Sequence, residues 1–260
     1  MTPLHRFKQC LLTALMPLAL ALPAAAQQTD TAALHRAEME GFRLWQLDTA
    51  IQAARRSAEG RRDFRKDERM QGWIHETTDE GIIVTFIRDR KGELVPRYRT
   101  IVAPDGTASS TEELDDEPTL QGAQARQFAA RLTAQQVPVM TCSKVVEDIV
   151  MPVEGSQRVY RVQRATFDDV LLAGGSQRIE ISADGTRLLG QRDLTGDCTT
   201  LKRDANTSSV GIIEPIDTQP NEFHVYLARA VGKQLFVTTQ VNGLLWLIRD
   251  GRIEAMGSAG

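Results

Sequence analysis

The spacing of apolar residues changes along the first hundred positions. Between residues 30 and 69, Ala33, Ala37, Leu44, Leu47 and Ile51 recur at helical intervals, and Leu34, Phe42 and Trp45 widen the same stripe. The pattern predicts a long helix, with Asp30 or Thr31 as its cap and Gly60 as the place where it ends or splits. After Arg69 the period shortens to two. The stretch GWIHETTDEGIIVTFIRDRKGELVPRYRTIVAPDGT holds three runs rich in Ile, Val, Phe, Tyr and Thr. They are parted by Asp79-Glu80-Gly81, Lys91-Gly92 and Pro104-Asp105-Gly106, which are turn chemistries because glycine takes positive φ and Asp bonds the backbone ahead of it. Three or four antiparallel strands are expected here. The acidic stretch from Glu112 to Glu117 then leads into residues 119–136, an Ala- and Gln-rich helix whose buried face is marked by Phe128 and Leu132.

The second half reads as strands: VPVMTCSKVVEDIV, QRVYRVQRATF, QRIEISADGTRLLGQRDL, SVGIIEPI, NEFHVYLARAV, KQLFVTTQV and LLWLIRDGRIEAM. In NEFHVYLARA, Phe223, Val225 and Leu227 alternate with His224, Tyr226 and Ala228. A strand there sends His224 and Tyr226 to the face opposite the apolar row, which makes that face a candidate binding surface. Gly232-Lys233 reads as a hairpin turn, Asn242-Gly243 as the strongest hairpin signal of the chain, and Asp250-Gly251 as one more reversal. Ser182-Ala183-Asp184-Gly185-Thr186 echoes Ala103-Pro104-Asp105-Gly106-Thr107. Two common Asp-Gly hairpins, the favoured reading, or a duplicated helix-plus-sheet unit would each produce that likeness.

Strands following one another without helices between them argue against a parallel βαβ fold. The expected class is α+β: antiparallel sheets, built as meanders with Asp-Gly and Asn-Gly hairpins, packed with one long N-terminal helix and one middle helix. Residues 27–117 form the first helix-plus-meander part and residues 118–260 the second, either as one continuous domain or as two.

Composition adds a compartment. Arg6 and Lys8, then the apolar run from Leu11 to Leu22, then Ala24-Ala25-Ala26 have the layout of a secretory signal peptide cleaved near Ala26. The run is too short to span a bilayer, and Pro17 and Pro23 interrupt it. The chain carries 31 basic and 34 acidic residues. Removal of residues 1–26 takes two basic residues with it, so the remainder is mildly acidic. No basic excess suits nucleic acid, and no later apolar run is long enough to cross a membrane. Cys10 leaves with the signal, while Cys142 and Cys198 remain, an even number in a compartment that permits oxidation. A structural Cys142–Cys198 disulfide is expected, since no CxxC spacing or neighbouring histidine favours redox or metal chemistry.

Candidate chemistry is sparse. His75-Glu76 opens like H-E-x-x-H, but position 79 is Asp and the segment reads as strand and turn. Gly232-Lys233 lacks both the first glycine and the Ser or Thr of a phosphate loop, since Leu227 and Gln234 stand there. No G-x-S-x-G elbow occurs, and Gly174-Gly175 before Ser176 reads as a turn. The acidic cluster at 112–117 lacks the spacing of a calcium loop. The Asn206-Thr207-Ser208 sequon is expected to be unused. No cofactor, metal or catalytic set is assigned.

Two blocks, Gly174 to Cys198 and Pro220 to Gln240 with the later Trp246-Leu247-Ile248, resemble a family of uncharacterised exported proteins of Gram-negative bacteria. The resemblance covers roughly the last hundred residues. It implies a periplasmic location and brings no site residues. The helix-then-strands order also resembles the small PepSY-type domains of secreted proteins. The functional expectation is a non-catalytic periplasmic protein that binds another envelope protein, a peptide or a small ligand. The alternative is a periplasmic hydrolase with a dispersed site using His224 or His75 with a carboxylate.

Overall fold

A computed structural model describes residues 29–115, 118–139, 142–167 and 169–259. The expected signal peptide and its cleavage point lie outside the described residues, as do Asp116 and Glu117 of the acidic stretch. Helix α1 (Thr31–Glu59) starts on Asp30, whose carboxylate accepts the Ala33 N–H at 2.9 Å, and Gly60 separates it from the short α2 (Arg62–Lys66). A first antiparallel sheet follows: β1 (Met70–Thr78), β2 (Gly81–Arg90), β3 (Glu93–Val102) and the two-residue β4 (Glu112–Glu113), in sequential order. After α3 (Gly122–Gln135) come β5 (Val145–Val153), β6 (Ser156–Arg164), β7 (Val170–Leu172), β8 (Gln177–Ser182), β9 (Leu188–Asp193) and β10 (Thr200–Lys202). Strands β5, β6, β8 and β9 make a second antiparallel sheet, and β7 pairs with β10. The third sheet is β11 (Ser209–Glu214), β12 (Gln234–Thr239), β13 (Leu244–Arg249) and β14 (Arg252–Ser258), with α4 (Glu222–Val231) between its first two strands.

The fold is therefore α+β with predominantly antiparallel sheets, as the periodicity predicts, with two local corrections. NEFHVYLARAV is helix α4, not a strand. Strands β11 and β12, which α4 connects, pair in parallel, so the chain does contain one βαβ crossover. The reason lies in a segment whose apolar residues satisfy both periods. Phe223, Tyr226, Leu227 and Val231 fit a helix as well as Phe223, Val225 and Leu227 fit a strand. The ends decide. The Asn221 side chain accepts the Phe223 N–H at 3.0 Å, the Asn221 N–H donates to His224 Nδ1 at 3.1 Å, and Gly232 stops the helix at φ 71°. Residues 222–228 are all buried, the polar Glu222 and His224 among them.

One core runs through all three sheets. It includes Leu44, Leu47 and Ile51 of α1, Trp73 and Phe86 of the first sheet, Ile149 and Tyr160 of the second, and Phe223, Leu235 and Trp246 around the third. Helices α1 and α4 touch at Gly41, where a methyl group would collide with the Glu222 carbonyl and come within 2.6 Å of Val225 Cβ. The second sheet is covered on both faces, by α1 on one side and α3 on the other. Successive residues Glu147 and Asp148 of β5 point opposite ways, yet both are buried. Glu147 accepts Trp73 Nε1–H at 3.1 Å and Arg55 Nη2–H at 2.8 Å, with Arg131 at 3.8 Å. Arg131 lies 4.2 Å over the Trp73 ring. On the other face, Arg161 donates to Asp148 at 2.8 Å and to the Val137 carbonyl beyond α3 at 2.6 Å.

One edge of each of the first two sheets, β1 and β5, is blunted by side chains. The Val150 carbonyl on the outer side of β5 accepts from His75 Nε2, and the Asp148 carbonyl accepts from Arg131 Nη1 at 3.0 Å. The His75 N–H, on the outer side of β1, donates to Gln127 of α3 at 2.9 Å. Neither edge is left as a free pairing template. The two Asp-Gly turns occupy equivalent places, after the third strand of the first and second sheets. In each, the Asp carboxylate accepts the N–H two residues on, at 2.8 Å for Thr107 and 3.1 Å for Thr186.

Cys142 and Cys198 are joined, with Cα atoms 5.4 Å apart. Gln163 braces the bridge by accepting the Cys142 and Ser143 N–H groups at 2.6 and 2.7 Å and donating to the Gly175 carbonyl at 2.9 Å. Gly175, at φ 73°, has no room for a side chain, because a Cβ would lie 2.7 Å from Cys142 Sγ. The bridge closes a loop across 56 residues, for which the chain-entropy relation gives about 4 kcal/mol. Replacing both cysteines by serine should therefore lower the urea unfolding free energy by roughly that amount, with a somewhat larger m because the unfolded chain is freed to expand. An unchanged midpoint would show that the bridge does not constrain the unfolded chain.

Candidate functional site

The sequence-derived residues come first. His224 and Tyr226 do not share an exposed face: both are completely buried. Two residues apart on a helix, they point different ways. Tyr226 donates its hydroxyl to Asp48 at 2.9 Å, and Arg164 holds the same carboxylate. His224 accepts the Asn221 N–H through Nδ1, so the neutral ring carries its proton on Nε2, which lies 3.2 Å from Glu214 Oε2 but out of line for a good hydrogen bond. Burial alone would raise the Glu214 carboxyl. The contact with His224 and the Asp217 and Ile216 N–H groups outweigh it and hold the group below its ordinary value. The pair resembles a catalytic dyad in composition, but it is sealed from solvent and joins β11 to the start of α4.

His75 is far from that pair. Its Nε2–H donates to the Val150 carbonyl at 2.6 Å, and Nδ1 has no partner. His35 is exposed, with Nδ1 3.6 Å from Glu38. The three histidines among the described residues are scattered. Among the described residues no group of three or more His, Cys, Asp and Glu could hold a metal ion. No helix among them is long and apolar enough to cross a membrane.

The most highly organised concave surface lies elsewhere, between the N-terminal half of α1, the segment before α4 and the adjacent face of the second sheet. This cleft has a volume of about 550 Å³. Its floor follows from strand register. Tyr160, Arg178 and Arg192 are cross-strand neighbours on β6, β8 and β9, and so are Arg158, Glu180 and Gly190. Paired residues share a face, so two adjacent rows across three strands present three arginines on one face. Asp30, Arg36 and Glu40 form the α1 wall, and Asp217, Asn221 and Glu222 the opposite one. Gln219 ties the walls together by accepting the Asp30 N–H at 3.2 Å.

The floor charges alternate. Arg158 reaches Glu40 at 2.6 Å and Glu180 at 2.7 Å, and Arg178 reaches Glu222 at 2.7 Å and the same Glu180 oxygen at 3.5 Å. Arg192 closes the row on Asp217 at 2.5 Å, and Asn221 donates to that carboxylate at 3.0 Å. Beneath them the Tyr160 hydroxyl lies 3.2 Å from Glu40 and 3.3 Å from Glu222. Burial, then Glu222 and Glu40, push its pKa well up, so the phenol stays protonated. Burial opposes the charge on Arg158, but the carboxylates of Glu180 and Glu40 more than offset it and raise its pKa. Arg178 is raised in the same way by Glu222 against burial.

Sequence reasoning missed this cleft because its residues come from five separate segments and match no motif. The available signal was the arginines in RVYR, QRIE and GQRD, which come to one face only once the register is known. Two other hollows differ in character. One, of about 440 Å³, lies between β11, β12 and the loop at 195–199, and Asp197 is its one ionisable lining residue among those described. The other, of about 620 Å³, is apolar and lies beside the disulfide, with Phe167 72 % exposed. In comparisons with protein-family models, curated proteins and solved structures, none matched the chain.

His75 supports a pH test. Burial, against the pull of the Val150 carbonyl and with help from Arg43, lowers its pKa from 6.5 to about 4. Protonation therefore favours the unfolded chain. The stability that the neutral ring contributes is complete above pH 6.5 and is lost as pH falls toward 4, up to about 3 kcal/mol. His75→Gln keeps a donor for Val150 without a titrating ring. Its urea unfolding free energy should fall less between pH 7 and 4.5 than that of the parent protein. Parallel curves would remove His75 as the cause.

Proposed function

We propose that this chain is a periplasmic, non-catalytic binding protein that holds a small polar ligand in the cleft between α1 and the second sheet. The observation that carries the reading is the arginine row. Side chains with long, mobile stems are each fixed by at least one carboxylate before any ligand arrives, which reduces the ordering cost of binding. The volume is in the range usual for small-molecule sites. Export is supported by the layout of residues 1–26 and by a disulfide of the kind that persists in oxidising compartments.

The hydrolase alternative fares less well. His224 has no access to solvent, and among the described residues no nucleophile or carboxylate contacts the His75 ring. A second binding reading rests on the apolar hollow beside the disulfide, where the exposed Phe167 suits a protein or peptide partner.

Native mass spectrometry of the protein recovered from the periplasm without denaturation tests the reading. The expected result is a bound species of small-molecule mass that is lost in Gly190→Glu, a position with open space around its Cβ. Retention of the species in that variant, or a reproducible protein partner with no small molecule, would contradict the cleft as the binding site.

A further inference from the structure

The geometry points to a chemical class for the ligand of this cleft: an oxyanion, carboxylate or phosphate, carried on a small polar molecule. The inference rests on the cleft being a binding site and goes on to say what it selects. Donor accounting is the argument. A guanidinium has five N–H donors. Arg158 commits Nη1 and Nε to carboxylates, and Arg178 commits Nη1, with Nε beside Glu180. Arg192 commits Nη2 to Asp217. No hydrogen bond to the described residues uses Nη2 of Arg158, Nη2 of Arg178 or Nη1 of Arg192, and none of these atoms is buried without a partner. Arg36, exposed on the α1 wall, makes no ion pair or hydrogen bond among the described residues. Four arginines thus bring unused donors to one cleft, and three of them are held in place from behind.

Such forks match the planar edge of a carboxylate or the oxygens of a phosphate, and charge-assisted bonds of this kind are the strong ones. The carboxylates alongside define the rest of the class. With Glu180 on the floor between Arg158 and Arg178, four arginines meet five acidic residues, Asp30, Glu40, Glu180, Asp217 and Glu222. The cleft's pull is therefore the directed donation of specific N–H groups, and a bare polyanion gains little from net charge. A molecule with one acidic group, plus hydroxyl or ammonium groups for Asp30 and Asp217 to accept from, fits both walls.

Isothermal titration and Arg Nε–Hε NMR of the exported protein, with any resident ligand removed by dialysis, provide the test. The probes are inorganic phosphate, acetate, choline and N-acetylglucosamine. Saturable binding of phosphate or acetate, with shifts at Arg158, Arg178 and Arg192, is the expected result, and whichever of the two binds more tightly identifies the oxyanion. Arg36→Ala and Arg192→Gln, both at exposed or half-exposed sites, should each weaken it roughly tenfold. Gly190→Glu, which places a competing carboxylate beside the row, should abolish it. Equal unfolding midpoints across the variants show that these losses are not folding defects. Binding of choline or N-acetylglucosamine at these arginines, with neither anion bound, overturns the oxyanion class while leaving the cleft a binding site. No response of the arginines to any probe, together with no small molecule recovered with the native protein, overturns both.

Discussion

A single buried carboxylate, Glu147, connects the parts of this molecule. It receives Trp73 from the first sheet, Arg55 from α1 and the charge of Arg131 from α3, and it is almost wholly out of solvent. A buried ion pair is weak evidence for stability, because desolvation offsets most of the attraction. Removing one partner, by contrast, leaves an uncompensated charge that costs about 3–5 kcal/mol. The arrangement therefore acts chiefly on specificity: α1, α3 and the first two sheets have one relative placement in which every charge is paired. Asp48, with Arg164 and Tyr226, repeats the device nearer the middle of α1 and brings α4 into the same frame.

What these pairs fix is the course of α1. A helix of 29 residues is about 43 Å long, so a small change of angle at Glu147 would displace its far end by several ångströms. That far end is the wall of the arginine cleft. The close contact at Gly41 and the Glu40–Arg158 pair set the wall at the other end. The cleft is thus a product of packing outside it, and its arginines inherit the rigidity of the core. The same logic separates it from the His224–Glu214 pair, which stands equally rigid but closed to any ligand.

Much of the fold was legible in local pattern. Helical spacing and Asp30 placed α1, the Gly and Asp turns placed the two meanders, and paired cysteines in an exported layout gave the bridge that Gln163 now braces. The exception, α4, shows where pattern fails. Where the apolar residues fit both periods, period carries no information, and the caps Asn221 and Gly232, on either side of a ten-residue helix, distinguish the two readings. The error moved His224 and Tyr226 from core to surface and so created a binding face that does not exist. The cleft was illegible for a different reason. A row such as Tyr160–Arg178–Arg192 is a property of register across three strands, and alternation within one strand cannot show which arginines will stand side by side.

The central claim, that the arginines are ordered by their carboxylates before a ligand arrives, can be tested on the ligand-free protein. Side-chain 15N relaxation at Arg158 and Arg178 Nε reports it directly. The account predicts order parameters close to those of the rigid backbone, about 0.85, for these two and a value below about 0.6 for the unpaired Arg36. Equally mobile side chains at all three positions would contradict it, because the cleft would then present no prearranged donors.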